Sequence, residues 1–234
     1  MGAIFKRELK AYFTSPIGFS ILIIFYLFSG LFFSVYFQSG SPDLSGIFST
    51  LFYIVLVLIP ILTMRLFSED KRQKTDQLLL TAPVKLTAIV LGKFLAALTV
   101  FGTAMGIMVV YQILVSFFLA PDWLVFVGNL LGMLLFGGSL IAMGLFISAL
   151  TESQVVAAIT TFAVELAMVL IDLLSGVLPS GTFFSKALTW LSIYDRYTSF
   201  TYGTLDYANV VFFLSLTFIF LLLTTMVNDR RRYA

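Results

Sequence analysis

Six long apolar runs limit what this chain can become. They occupy residues 18–37, 48–66, 88–118, 124–150, 155–178 and 210–227. Each approaches or exceeds the ~20 residues an α-helix needs to cross the hydrocarbon layer of a bilayer. A membrane β-barrel would need segments of about ten residues that alternate apolar with polar, and the run 210–227 does not alternate. Only 11% of the residues are charged, against about a quarter in soluble domains. The expected fold is an all-α polytopic membrane domain over residues 1–234, with six transmembrane helices. The run 18–37 is too long for the apolar core of a signal peptide, and no small-residue cleavage pattern follows it, so it reads as a retained span.

Charge placement orients the spans. With both termini on the cytoplasmic face, that face collects Lys6, Arg7, Lys10, Arg65, Lys71, Arg72, Lys74, Lys85, Lys93, Arg230, Arg231 and Arg232, which is twelve of the 14 basic residues. Only Lys186 and Arg196 are left outside. Basic residues concentrate on the cytoplasmic side of membrane proteins, so both termini are expected inside and the chain in the cell (inner) membrane. Residues 2–14 set Ile4, Phe5, Leu9, Tyr12 and Phe13 on one side of a helix, with Lys6, Arg7 and Lys10 polar, the pattern of an amphipathic helix lying at the interface. Ser15-Pro16 then breaks its direction. The span 124–150 carries Gly128, Gly132, Gly137, Gly138, Ser139, Ala142 and Gly144, which suits close helix packing. The extracytoplasmic segment 179–209 is aromatic (Phe183, Phe184, Trp190, Tyr194, Tyr197, Phe200, Tyr202, Tyr207), which suits short helices forming an interfacial belt at headgroup level.

The chain contains no Cys and no His. Disulfides, thiol nucleophiles and imidazole bases are absent, and zinc loses both of its preferred ligand types. No metal site and no nucleic-acid partner are expected. A Ser-His intramembrane protease is excluded. A di-aspartate protease wants two carboxylates on facing helices, whereas Glu165 and Asp172 share one.

Between the second and third spans lies the one long charged stretch, residues 65–94, RLFSEDKRQKTDQLLLTAPVKLTAIVLGKF. Ser68 is expected to cap a helix with Glu69 and Asp70 in its first turn, where carboxylates favour the helix dipole. Lys71, Arg72 and Lys74 follow, then Leu78, Leu79 and Leu80, and Thr81-Ala82-Pro83 closes the helix. The expected element is a cytoplasmic helix over 68–82 with a polar surface and a leucine patch that calls for a partner. Gly92-Lys93 is no phosphate loop, because Thr87 and Phe94 stand where that loop needs Gly and Ser or Thr. Lys93 is expected to snorkel to the headgroups.

These residues resemble the region between the second and third spans of ABC-2 type permeases, closest to the gliding-motility and multidrug-type subgroup. That pattern has an acidic pair, basic residues, Gly-Thr, an acid, a leucine run, Thr-x-Pro and Ile-Val-x-Gly-Lys. The match falls on Glu69, Asp70, Lys71, Thr75, Leu78, Leu79, Leu80, Thr81, Pro83, Ile89, Val90, Gly92 and Lys93. It departs at Lys74, where the pattern has Gly, and at Gln77, where it has Glu. The start at Ser15-Pro16-Ile17-Gly18 and the end from Asp195-Arg196 through Gly203, Asp206 and Arg231-Arg232 also fit, so the resemblance covers nearly the whole chain.

The resemblance implies that residues 68–82 are a coupling helix docked in a groove of a separate ABC ATP-binding subunit. Glu69, Asp70, Arg72, Thr75, Leu78, Leu79, Thr81 and Pro83 would make that coupling. ATP and Mg would sit on the partner, with no cofactor and no enzyme activity in this chain. A second permease subunit, identical or not, would complete the pathway, and transport would run outward as in an exporter. The substrate stays open among lipid, peptide, drug and polysaccharide.

Two carboxylates lie within the fifth span. Glu165 is near its middle and Asp172 is seven residues on, on the same face. A charge at span centre costs about 2.5–3.5 kcal/mol on insertion scales. Either these groups line the translocation path, or Glu165 is protonated and bonded to Thr160, Thr161 or a neighbouring span while Asp172 faces the headgroups. An alternative function follows from the first case: a proton-coupled secondary transporter or channel using Glu165, with no ATPase. The charged stretch and the lack of an internal repeat count against it.

Overall fold

The computed structural model describes residues 1–75, 85–177, 192–203 and 206–232, apart from the side chains of 172–177 and 231–232. In chain order the helices are α1 (Gly2–Thr14), α2 (Pro16–Gln38), α3 (Ser45–Thr63), α4 (Ser68–Arg72), α5 (Leu86–Ser116), α6 (Trp123–Leu150), α7 (Gln154–Val177), α8 (Ile193–Thr201) and α9 (Tyr207–Arg232). No strand occurs among the described residues. By length and composition six helices can cross a membrane, namely α2, α3, α5, α6, α7 and α9.

Local chemistry sets the helix starts. Ser15 is extended between α1 and α2, its hydroxyl accepts from the Gly18 N–H at 3.4 Å, and Pro16 opens α2 at the position where its missing N–H costs nothing. Asp122 caps α6 by accepting from the N–H groups of Leu124 and Val125 at 2.8 and 3.4 Å. The third span is one unbroken helix, α5, of 31 residues. At 1.5 Å per residue it is about 46 Å long, well beyond the ~30 Å apolar layer. Its surplus lies at the end of the bundle where α1 packs, with Gly92 against Ile4.

The fourth span is the hub. α6 packs against α3, α5, α7, α8 and α9. Its small residues are what admit those neighbours. A Cβ on Gly144 would stand 2.2 Å from Thr63 Oγ1, and one on Gly137 would stand 2.2 Å from the Phe101 ring.

At the far end, α8 is set into the bundle. Ile193, Tyr197 and Phe200 are buried. The Tyr197 hydroxyl donates to the Phe48 carbonyl at 3.1 Å, and burial holds that hydroxyl protonated far above the usual tyrosine range. Phe52 stacks on Phe136 and Tyr197 with centroids 4.6 and 5.2 Å away. Tyr202 and Tyr207 are exposed. Phe183, Phe184 and Trp190 lie outside the described residues.

α1 is amphipathic, with Ile4, Leu9 and Tyr12 turned inward and Lys6, Arg7 and Lys10 exposed, but its inward face differs from the expected one at two residues. Its inward stripe runs Ile4, Glu8, Tyr12, so a carboxylate sits on the face expected to be apolar, and Phe13 is exposed. The reason is a cation on α5.

Candidate functional site

The charged stretch begins with a turn at residues 64–67 followed by α4. Ser148, near the end of α6, fixes this turn. Its hydroxyl accepts from the N–H groups of Phe67 and Ser68 and donates to the Met64 carbonyl, each at 3.1 Å. Lys71 reaches the carbonyl of Ala149. With two of its opening amides served from α6, the helix does not use Ser68 as its cap. Phe67 holds the cap position, and the Ser68 hydroxyl turns back to the Met64 carbonyl.

The helix ends at Arg72, and Lys74 takes a φ of 56°. That left-handed conformation is one glycine adopts without the Cβ clash other residues suffer. It falls at the position where the related pattern carries Gly. Lys74→Gly is therefore expected to stabilise the protein by roughly 1 kcal/mol, read as a higher thermal midpoint in detergent; an unchanged or lower midpoint refutes the strain. The expected continuous helix over 68–82 is therefore interrupted at residues 73–75, and Leu78, Leu79, Leu80, Thr81 and Pro83 lie outside the described residues.

Lys93 is the centre of the site. It was expected to snorkel, yet it is 1% exposed. Its ammonium donates to Glu8 Oε1 of α1 at 2.9 Å and to the Leu66 carbonyl at 2.5 Å, and it pairs with Asp70 Oδ2 of α4 at 2.6 Å. Three donors thus meet three acceptors from three segments, so the amine has no need of water. Arg7 adds a second cation, 2.5 Å from Glu8 and 3.6 Å from Asp70. Two cations and two carboxylates balance. The Phe67 ring lies 5.1 Å below the Lys93 ammonium. Gly92 lets α1 come this close, since a Cβ there would stand 3.1 Å from Ile4.

A second pair flanks the first. Arg65 Nε lies 3.4 Å from Glu69 Oε2, its NH1 donates to Ser15 Oγ at 2.7 Å, and its guanidinium sits 4.9 Å over the Tyr12 ring. The Tyr12 hydroxyl donates to the Leu62 carbonyl at 2.6 Å. Burial pushes that hydroxyl far above the usual tyrosine range, and the nearby Arg65 charge offsets only part of this. A crevice of about 240 Å³ opens onto both pairs.

Of the residues singled out from the sequence, Glu69, Asp70 and Thr75 come together here. The Thr75 hydroxyl donates to Asp70 Oδ1 at 3.1 Å. Arg72 is exposed on α4. Sequence reasoning missed Arg7, Glu8, Arg65 and the role of Lys93. Two signals were present: Glu8 is the only acid in residues 2–14, and Lys93 is the only charge within α5.

The sequence model of the ABC-2 type transporter family matches residues 1–197. The chain belongs to the ABC-2 type transporter family. It is a multi-pass membrane permease of an ABC transporter and works with an ATP-binding subunit. No curated protein matches the chain. Permeases of this family generally leave ATP hydrolysis to separate subunits. The matched range holds the whole charge cluster of this ABC-2 permease and its intramembrane carboxylate as well.

That carboxylate, Glu165, faces inward on α7 in a stripe with Ala157 and Thr161. It is 1% exposed, and neither of its oxygens makes a hydrogen bond among the described residues. The expected bonds to Thr160 or Thr161 are absent. Thr160 is exposed, and the Thr161 hydroxyl donates to the Ala157 carbonyl at 2.7 Å. Asp172 lies in α7, with its side chain outside the described residues.

Proposed function

We propose that this permease is one half of an ATP-driven exporter in the cell (inner) membrane, and that the segment 68–82, which opens with α4, is the coupling element moved by the ATP-binding subunit. The observation that supports this reading is the Lys93 clamp. Through it α4 is joined to α1 and α5 by hydrogen-bonded charges, so a push on α4 moves three segments together. Arg72 and Gln73 on the exposed side remain free to dock. The basic residues of this end fit the cytoplasmic face. The motif over residues 65–94 fits the gliding-motility and multidrug-type subgroup best. Six spans leave a central pathway incomplete, and two-fold pairing with a second permease subunit, identical or not, closes it.

The chain has no cysteine, so introduced ones report without background. Arg72→Cys is expected to cross-link to an ATP-binding subunit in native membranes. Gln38→Cys, at the opposite end of α2, is expected not to. An impermeant maleimide should label Gln38→Cys in intact cells and Arg72→Cys only after permeabilisation. The reverse labelling, or no ATPase cross-link from Arg72→Cys, sinks the proposal.

A second reading rests on Glu165 alone. A buried carboxyl without a partner suits a proton-coupled carrier or channel, which would move protons without any ATPase.

A further inference from the structure

Two hollows meet between the first turns of α5 and the last turns of α9. One, of about 390 Å³, is lined by Lys85, Leu86, Thr87, Thr225, Met226 and Asp229. The other, of about 130 Å³, shares Thr87 and Thr225 with it and continues along Val90, Leu91, Phe218, Leu221 and Leu222. Together they form one groove, polar at the end of the bundle and apolar deeper in. From Phe218 to Asp229 is eleven residues, or about 16 Å of helix. Its apolar part, from Phe218 to Thr225, is seven residues or about 10 Å, within the ~15 Å of one hydrocarbon leaflet.

Charge is placed with the same grading. Lys85 and Asp229 line the same mouth, and neither forms an ion pair among the described residues. Below them, among the described residues, the only polar groups lining the groove are the hydroxyls of Thr87 and Thr225, the latter exposed only in part. A ligand that fills this space needs an apolar chain that reaches into one leaflet. It also needs a head bearing a negative group for Lys85 and a positive one for Asp229. An anionic head would satisfy Lys85 but crowd Asp229 with like charge.

We propose that the groove between α5 and α9 holds one membrane glycerophospholipid with a zwitterionic, ammonium-bearing head. Its phosphate pairs with Lys85 and its ammonium with Asp229. One acyl chain lies along Val90, Leu91, Phe218 and Leu222. The site is separate from the Lys93 clamp, and it joins α5, the span that carries Lys93, to the last span.

The test is native mass spectrometry of the purified, delipidated full chain, titrated with phosphatidylethanolamine or phosphatidylglycerol. Wild type is expected to retain one phosphatidylethanolamine and to bind it about tenfold more tightly than phosphatidylglycerol, the effect of one charge-assisted contact. Asp229→Asn should erase that preference, and Lys85→Gln should weaken both lipids. Both changes are at exposed positions and leave the fold intact. Leu91→Trp fills the apolar part and should abolish the retained lipid at unchanged helix content. Equal binding of the two lipids by wild type, or an Asp229→Asn profile like wild type, overturns the proposal. So does a shift from dimer to monomer in Leu91→Trp with lipid binding unchanged, which would give the groove to a second copy of the chain.

Discussion

Lys93→Met is expected to destabilise the permease by about 3 kcal/mol, because it leaves the buried Glu8 and the partly buried Asp70 with only the half-exposed Arg7 between them. The readouts are abundance in the membrane and the thermal midpoint in detergent. The ammonium makes all three of its contacts inside the protein, so nothing in solution can replace them. Adding Glu8→Gln and Asp70→Asn to Lys93→Met removes the stranded carboxylates, leaves Arg7 to the solvent it already half faces, and should recover most of the lost stability, since replacing a buried ion pair is often near neutral. The repaired triple variant separates structure from coupling. It should still cross-link to the ATPase through Arg72→Cys, yet hydrolyse ATP without restoring the phenotype of a host lacking the gene. Wild-type stability in Lys93→Met would remove the clamp. Full complementation by the triple variant would leave the clamp as packing alone.

The fold was largely legible in the sequence. Length and apolarity alone place six spans, and the small residues of 124–150 mark the helix that sits at the centre. What periodicity cannot show is which faces meet. Glu8 breaks the apolar side of α1 and Lys93 interrupts an apolar span, and each looks like an exception while considered singly. They explain each other only when α1 crosses α5 at Gly92, a contact between positions 85 residues apart in the chain. Ser68 misled for a similar reason. It has the chemistry of a cap, but Ser148, distant in sequence, already serves the amides of its turn. The left-handed Lys74 was visible only as a departure from a pattern that has Gly there.

Glu165→Leu is expected to hold or raise stability while abolishing function, and this pair of results carries the case for a role in transport. A buried polar group without a hydrogen bond costs about 1–3 kcal/mol, and both Glu165 oxygens are in that state among the described residues. An apolar side chain of similar size removes the penalty. A position that lowers stability and supports no neighbour has its use outside this chain's own packing, in a second subunit, a substrate or a proton. Glu165→Gln should likewise keep the ATPase cross-link and ATP hydrolysis but fail to complement. Loss of stability in Glu165→Leu would mean the carboxyl has a structural partner, and normal complementation by both variants would end the pathway role. Proton flux decides between the two functional readings. Vesicles holding the purified chain alone are expected to pass no protons. Flux that appears without any ATPase, and disappears with Glu165→Gln, would instead make this permease a carrier driven by the carboxyl itself.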